Sequence, residues 1–92
     1  MSDSLRGLIG YIVSLRRGGN RAYPKQALIR FPGVDDYKTA HRLLNRVVEW
    51  RNDGTKIRGV IKRVHGRTGT VIAYFKKPLP GQAVGSRVVI IR

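Results

Sequence analysis

The chain has 92 residues, a length for one domain, and carries 19 Lys and Arg against 5 Asp and Glu, for a net charge of +14. It has no cysteine, which excludes disulfides, thiolate zinc sites and thiol catalysis. It also has no run approaching the roughly 20 apolar residues of a membrane helix, and no signal-peptide pattern, so a cytoplasmic protein with no membrane partner is expected. Residues 8–15 are rich in Ile, Val, Tyr and Leu and predict a first strand. Arg16-Arg17-Gly18-Gly19-Asn20-Arg21 then forms a basic loop, either a flexible connection with solvated charges or a finger laid against phosphates. Tyr23 beside Pro24 could stack on a base or pack against the domain. Residues 26–31 predict a second strand, ended by the turn pair Pro32-Gly33.

Tyr37, Ala40, Leu43 and Leu44 follow at helical spacing, with Asp35 or Asp36 as the cap and both acids suited to the helix N-terminus. Residues 45–51 predict a third strand in which Val48 and Trp50 share one face while Arg46, Glu49 and Arg51 face water. Trp50 is the kind of residue that fills a core more often than it offers a stacking platform. Asn52-Asp53-Gly54 signals a hairpin. Residues 56–64 make a fourth strand with Gly59 inside it, a mark of a bulge or barrel corner. Residues 70–75 make a fifth. Residues 87–91, a β-branched run, predict a sixth strand buried on both faces. Six short strands and one short helix predict a mainly β fold, a small closed six-stranded barrel without exposed sheet edges, with residues 1–92 as a single RNA-binding domain.

Charge identifies the class of partner. The free protein repels itself, so a polyanion is needed to neutralise it. Arg outnumbers Lys by 13 to 6. The planar guanidinium grips phosphate oxygens in pairs and stacks on bases, which suits RNA. A basic membrane-surface helix with a bulky apolar face is not visible. Enzyme motifs are missing too: no Gly-x-Ser-x-Gly elbow, no P-loop, no paired carboxylates around a cleft. Five acids, two of them in a helix cap, leave little for acid–base chemistry. No cofactor, metal or small-molecule substrate is expected.

The most informative stretch is residues 58–75, a strand, the loop His65-Gly66-Arg67-Thr68-Gly69, and a strand. Gly66 and Gly69 allow a tight loop with positive φ. Arg63, His65 and Arg67 surround it, so backbone N–H groups and cations converge in the manner of a phosphate site. His65 could equally be a structural group that hydrogen-bonds across its own turn. His41 and His65 are far apart in sequence and lack neighbouring ligands, which argues against a metal.

Gly59, Arg63, His65-Gly66, Gly69, Val71, Ala73, Phe75, then Leu79-Pro80, Ala83 and Gly85 form an ordered set. It resembles the signature of a large-subunit ribosomal protein family, thirty-five-A-e (thirty-three in the uniform nomenclature). Upstream, Gly33-Val34 precedes the helix, and Leu43-Leu44-Asn45-Arg46-Val47 is similar to the family's Tyr-Leu-Gly-Lys-Arg stretch. The resemblance covers roughly residues 5 to 91. Departures are Ile72 where a basic residue is expected, Arg58 for an aromatic, and no Tyr-Pro after the last strand; they fit a divergent archaeal member.

The resemblance implies a barrel of the translation-protein type, seated as a monomer on large-subunit rRNA among neighbouring ribosomal proteins. It leaves tRNA contact open. The expected contacts are Arg16, Arg17 and Arg21 in the first loop, and Lys62, Arg63, His65, Gly66 and Arg67 around the glycine loop. Lys76, Lys77 and Arg87 are added, although Lys76-Lys77 before Pro78 could be a solvated turn. The alternative is a free-standing RNA- or tRNA-binding barrel module outside the ribosome. Such a module would normally show exposed aromatics at alternating strand positions.

Overall fold

The computed structural model describes residues 5–16, 25–52 and 54–92. Its strands are β1 (Ile9–Arg16), β2 (Gln26–Arg30), β3 (Val47–Asn52), β4 (Thr55–His65), β5 (Thr70–Phe75) and β6 (Arg87–Ile90). One helix, α1 (Tyr37–His41), lies between β2 and β3, and a 3-10 turn (Gly81–Ala83) precedes β6. The strands pair antiparallel throughout and close as a barrel in the order β1-β2-β5-β4-β3-β6. The mainly β, six-stranded closed barrel with one short helix is therefore the observed architecture.

Alternation drives the closure. Ile12, Ala27, Ile29, Val48, Trp50 and Ile61 point inward, joined by Val71, Ala73, Phe75, Val88 and Ile90, and form one apolar core. Gly59 is the corner that lets it close. It pairs with Phe75 across the ladder, and a Cβ on it would lie 2.8 Å from the Phe75 ring. Only glycine lets that ring cross the strand so closely. Trp50 is a core residue, as expected. Its indole N–H donates to Ser86 Oγ at 2.7 Å, which ties β3 to the segment that leads into β6.

Several boundaries and faces differ from the sequence expectations. α1 has only five residues. Asp36, not Asp35, caps it by accepting the Thr39 N–H at 2.9 Å. Leu43 and Leu44 lie beyond the helix, in tighter turns whose N–H groups donate to Ala40 and His41 carbonyls. Asn45 has φ 67°, so β3 starts at Val47 rather than Asn45. Asparagine tolerates this conformation, and it stands where the resembled family has glycine. Tyr37 is exposed rather than on the apolar face.

Glu49 is buried, not wet, because Arg51 and Arg58 fold over it, and Arg46 is half-buried. β6 is buried on one face only, with Arg87 exposed and Val89 half-buried. The strand buried on both faces is β5, where Thr70 to Ala73 are all covered. It lies between the long β4 and β2, and α1 packs against it. Ile72 sits on its outer side, opposite Leu28 and Arg63, and is buried there. An isoleucine rather than a cation at that position follows from this cover.

Candidate nucleic-acid interface

Lys62 and Arg63 owe their exposure to a break in register. Ile61 pairs with Ala73, but Arg63 pairs with Ile72, so β4 carries one extra residue as a bulge. Strict alternation would send one of two adjacent side chains inward. With the bulge, Lys62 and Arg63 are both exposed, while Ile61 is in the core and Val64 packs against it.

Beyond the bulge, His65 pairs with Thr70 and closes the hairpin. Gly66 and Gly69 have φ 75° and 98°, the left-handed conformation expected of them. Gly69 also has no room for a side chain, since a Cβ would lie 2.1 Å from the Val34 carbonyl oxygen. The loop is thereby pressed against the chain leading into α1. A second brace comes from β2, where Arg30 Nη2 donates to the Thr68 carbonyl at 3.2 Å. Arg67 and His65 are exposed. His65 makes no side-chain hydrogen bond among the described residues.

The opposite wall is α1. A groove runs between helix and loop, lined by Tyr37, His41, Val64, Gly66 and Arg67. The Tyr37 and His41 rings are 5.6 Å apart and T-shaped. The sequence reading missed Arg30, Tyr37 and His41. For the ring pair a signal existed, since positions i and i+4 share a helix face. For Arg30 none did.

The other described residues of the expected contact set, Arg16, Lys76, Lys77 and Arg87, lie at the other end of the barrel. Strand direction reverses at each step around it, so the end of β1, the start of β2, the β3–β4 hairpin and the segment after β5 share one rim. Arg16 is the last residue of β1 rather than part of a loop. Arg17, Arg21, Gly18, Gly19, Asn20, Tyr23 and Pro24 lie outside the described residues, as does Asp53 in the β3–β4 hairpin. Lys76 and Lys77 follow β5, exposed, with the Lys76 N–H donating to the Arg58 carbonyl at 3.0 Å. They line a groove with Lys56, Ile57, Arg58 and Glu49. Arg87 starts β6 and lines another with Arg51, Glu49 and Ile9. Lys56, Arg58 and Arg51 are further cations of this rim that the sequence reading did not single out.

The described residues of the expected contact set thus fall into two groups, toward opposite ends of the barrel. β4 carries residues of both ends, with Lys56 and Arg58 near its start and Lys62, Arg63 and His65 near its end. Glu49 tempers one group. Arg51 Nε lies 2.5 Å and Arg58 Nε 3.2 Å from its two oxygens. The Arg51 hydrogen bond, and then that of Arg58, hold its carboxyl below its ordinary value of 4.5 although burial pushes the other way. At the other end Asp36 is likewise lowered, by its hydrogen bonds with Thr39. Among the described residues no group of three His, Cys, Asp or Glu side chains is placed to hold a metal ion. Nor is any described helix long and apolar enough to cross a membrane.

Comparison with known proteins agrees with the resemblance in residues 58–85. The family described as ribosomal protein L35Ae matches residues 8–91. The large ribosomal subunit protein eL33 of Methanopyrus kandleri is 37% identical over 92 residues, covering 98% of this chain and 99% of that protein. Its counterpart in Aeropyrum pernix is 35% identical over 85 residues, covering 90% of this chain and 89% of its own. That of Candida albicans is 33% identical over 101 residues, covering 99% and 94%.

Proposed function

The chain belongs to the ribosomal protein L35Ae family, and from that premise we propose that it is a structural, non-enzymatic constituent of the cytoplasmic large ribosomal subunit. It acts there as a monomer, residues 1–92 forming one domain, bound to folded rRNA and bordered by other ribosomal proteins. The observation that carries this reading is the match over nearly the whole chain to proteins named as large-subunit components.

The mechanism follows from charge held on a rigid block. Lys62, Arg63, His65 and Arg67 reach the sugar–phosphate backbone at one end, where Gly66 lets it approach closely. Arg16, Lys76, Lys77 and Arg87 do so at the other, and Arg17 and Arg21 add further phosphate contacts. Neutralising phosphates releases counterions and supplies most of the affinity, with a salt slope of roughly −0.7 to −0.9 per phosphate. Shape selects the site, because structured RNA is recognised by its geometry, bulges and loops. Two basic groups at opposite ends suit a folded RNA that curves around the barrel, or two RNA segments brought together by it. A single strand tracking one groove would need only one of them.

Mass spectrometry of salt-washed large subunits tests the assignment. The chain is expected among their proteins in amounts comparable to its neighbours. Recovery only in the ribosome-free fraction would overturn it in favour of a free-standing RNA-binding module.

A further inference from the structure

We propose that the groove between α1 and the glycine loop receives one unstacked nucleotide of the RNA, with Tyr37 as the stacking platform and Arg67 on its phosphate. This rests on the RNA-binding reading above and names what one part of that surface takes.

Three observations point to that occupant. One wall is aromatic and open: Tyr37 is 47% exposed, and a T-shaped pair with His41 leaves each ring at least one face the other does not cover. The floor is formed by Val64 and Gly66. Val64 packs inward, and a Cβ built on Gly66 meets nothing within 4 Å. The far wall carries the exposed guanidinium of Arg67, with Lys62 and Arg63 on the bulge leading to it. A flat π-face beside a cation, over bare backbone, matches a base and its phosphate. An acidic side chain would use Arg67 and leave the rings unused.

The groove is also held in shape before anything enters it. Gly69 is pressed on the Val34 backbone, Arg30 braces Thr68, and Asp36 caps the helix that bears both rings. Walls fixed in this way lose little conformational freedom on binding. Bases in bulges and loops of folded RNA are unstacked already, so they are the ones that fit.

The test uses the full chain and the deproteinised large-subunit rRNA of its own organism. Ultraviolet irradiation of the complex should attach a single nucleotide to Tyr37 or His41, located by mass spectrometry. Tyr37→Ala should bind about five- to 150-fold more weakly, the loss of one base–aromatic stack. Its hydroxyl-radical footprint and salt slope should stay unchanged, because the backbone contacts remain. Tyr37→Phe should restore wild-type affinity. Circular dichroism of each variant checks the fold, which an exposed position should leave intact. If Tyr37→Ala and His41→Ala bind like wild type, with the footprint intact and neither ring cross-linked, the base site is wrong and the backbone-binding reading survives. If wild type leaves no footprint on that rRNA, both are wrong.

Discussion

At one end of the barrel, the loop after β4 is fixed from three directions: a bulge below it, the Val34 backbone against Gly69, and the Arg30 guanidinium on Thr68. At the other end, Lys76 and Lys77 sit on an exposed bend whose nearest tie is the Lys76 N–H to the Arg58 carbonyl. There Arg51 and Arg58 are partly committed to Glu49. Both ends are basic, yet the first sets its cations beside a loop braced by packing and by a side-chain hydrogen bond, whereas the Lys76–Lys77 bend of the second has a backbone tie. A preformed surface selects an RNA shape, whereas mobile cations mainly add affinity that salt screens away. On the proposed RNA-binding reading, selectivity would lie at the glycine-loop end and general electrostatic grip at the other.

Destroying the preformed loop should have the largest effect. Gly69→Val combines a left-handed backbone with a direct collision on Val34, so a loss of about 3 kcal/mol or more in urea unfolding is expected. Gly66→Ala shares the positive φ but meets open space, and should cost only about 1–2 kcal/mol. Equal losses at the two glycines would mean that the Val34 contact does not shape the loop.

Much of this architecture was legible. Period-two runs and turn pairs marked all six strands, and the ordered glycines marked the loop with its positive φ. The bulge was readable in principle. In Ile61-Lys62-Arg63-Val64, two adjacent cations stand between residues that both face inward, which alternation alone forbids. The division of the cations into two ends was not readable. It depends on the strand order, which brings Thr68 beside Arg30, 38 residues away. The burial of Glu49 was hidden for a related reason. A carboxylate on an outer strand position looks solvated until the cross-strand neighbour Arg58 is known to cover it.

Removing charge end by end comes next in size. Arg63→Ala with Arg67→Ala, and separately Lys76→Ala with Lys77→Ala, should each flatten the salt slope by about 1.4 to 1.8 and weaken rRNA binding roughly ten-fold or more near 0.1 M salt. The fold should persist in both. The first pair should also reduce discrimination between the cognate rRNA and an unrelated duplex, and the second should not. Identical loss of discrimination from both pairs would erase the proposed division of labour. Should the first pair unfold the protein while affinity per folded molecule is unchanged, Arg63 and Arg67 are structural instead.

Acid should act on the Glu49 clasp. Its folded value is lowered below 4.5, so its contribution is complete above the unfolded value and is lost as pH falls through the folded one. Urea unfolding from pH 7 down to 3 should therefore show a steeper acid loss in wild type than in Glu49→Gln, with the variant already weaker at pH 7. Asp36, also lowered, titrates in both proteins and cancels in the comparison. Parallel acid limbs would show that Arg51 and Arg58 gain nothing from the charged carboxylate.

The smallest effect falls on the brace that ties β2 to the glycine loop. Arg30 is exposed and its bond to the Thr68 carbonyl is 3.2 Å, so Arg30→Ala should cost only about 0.5–1 kcal/mol in global stability. Its local consequence should be clearer. Amide hydrogen exchange should speed up in residues 66–69 and stay unchanged in the Lys76–Lys77 bend, because only the first is held by this guanidinium. RNA affinity should fall with the cation's charge, but Arg30→Lys should recover that part without recovering loop protection, since an ammonium lacks the guanidinium's reach and planar fork. If exchange in the loop is indifferent to both substitutions, Gly69 against Val34 alone sets its shape, and the glycine-loop end is rigid through packing rather than through any reach across the barrel.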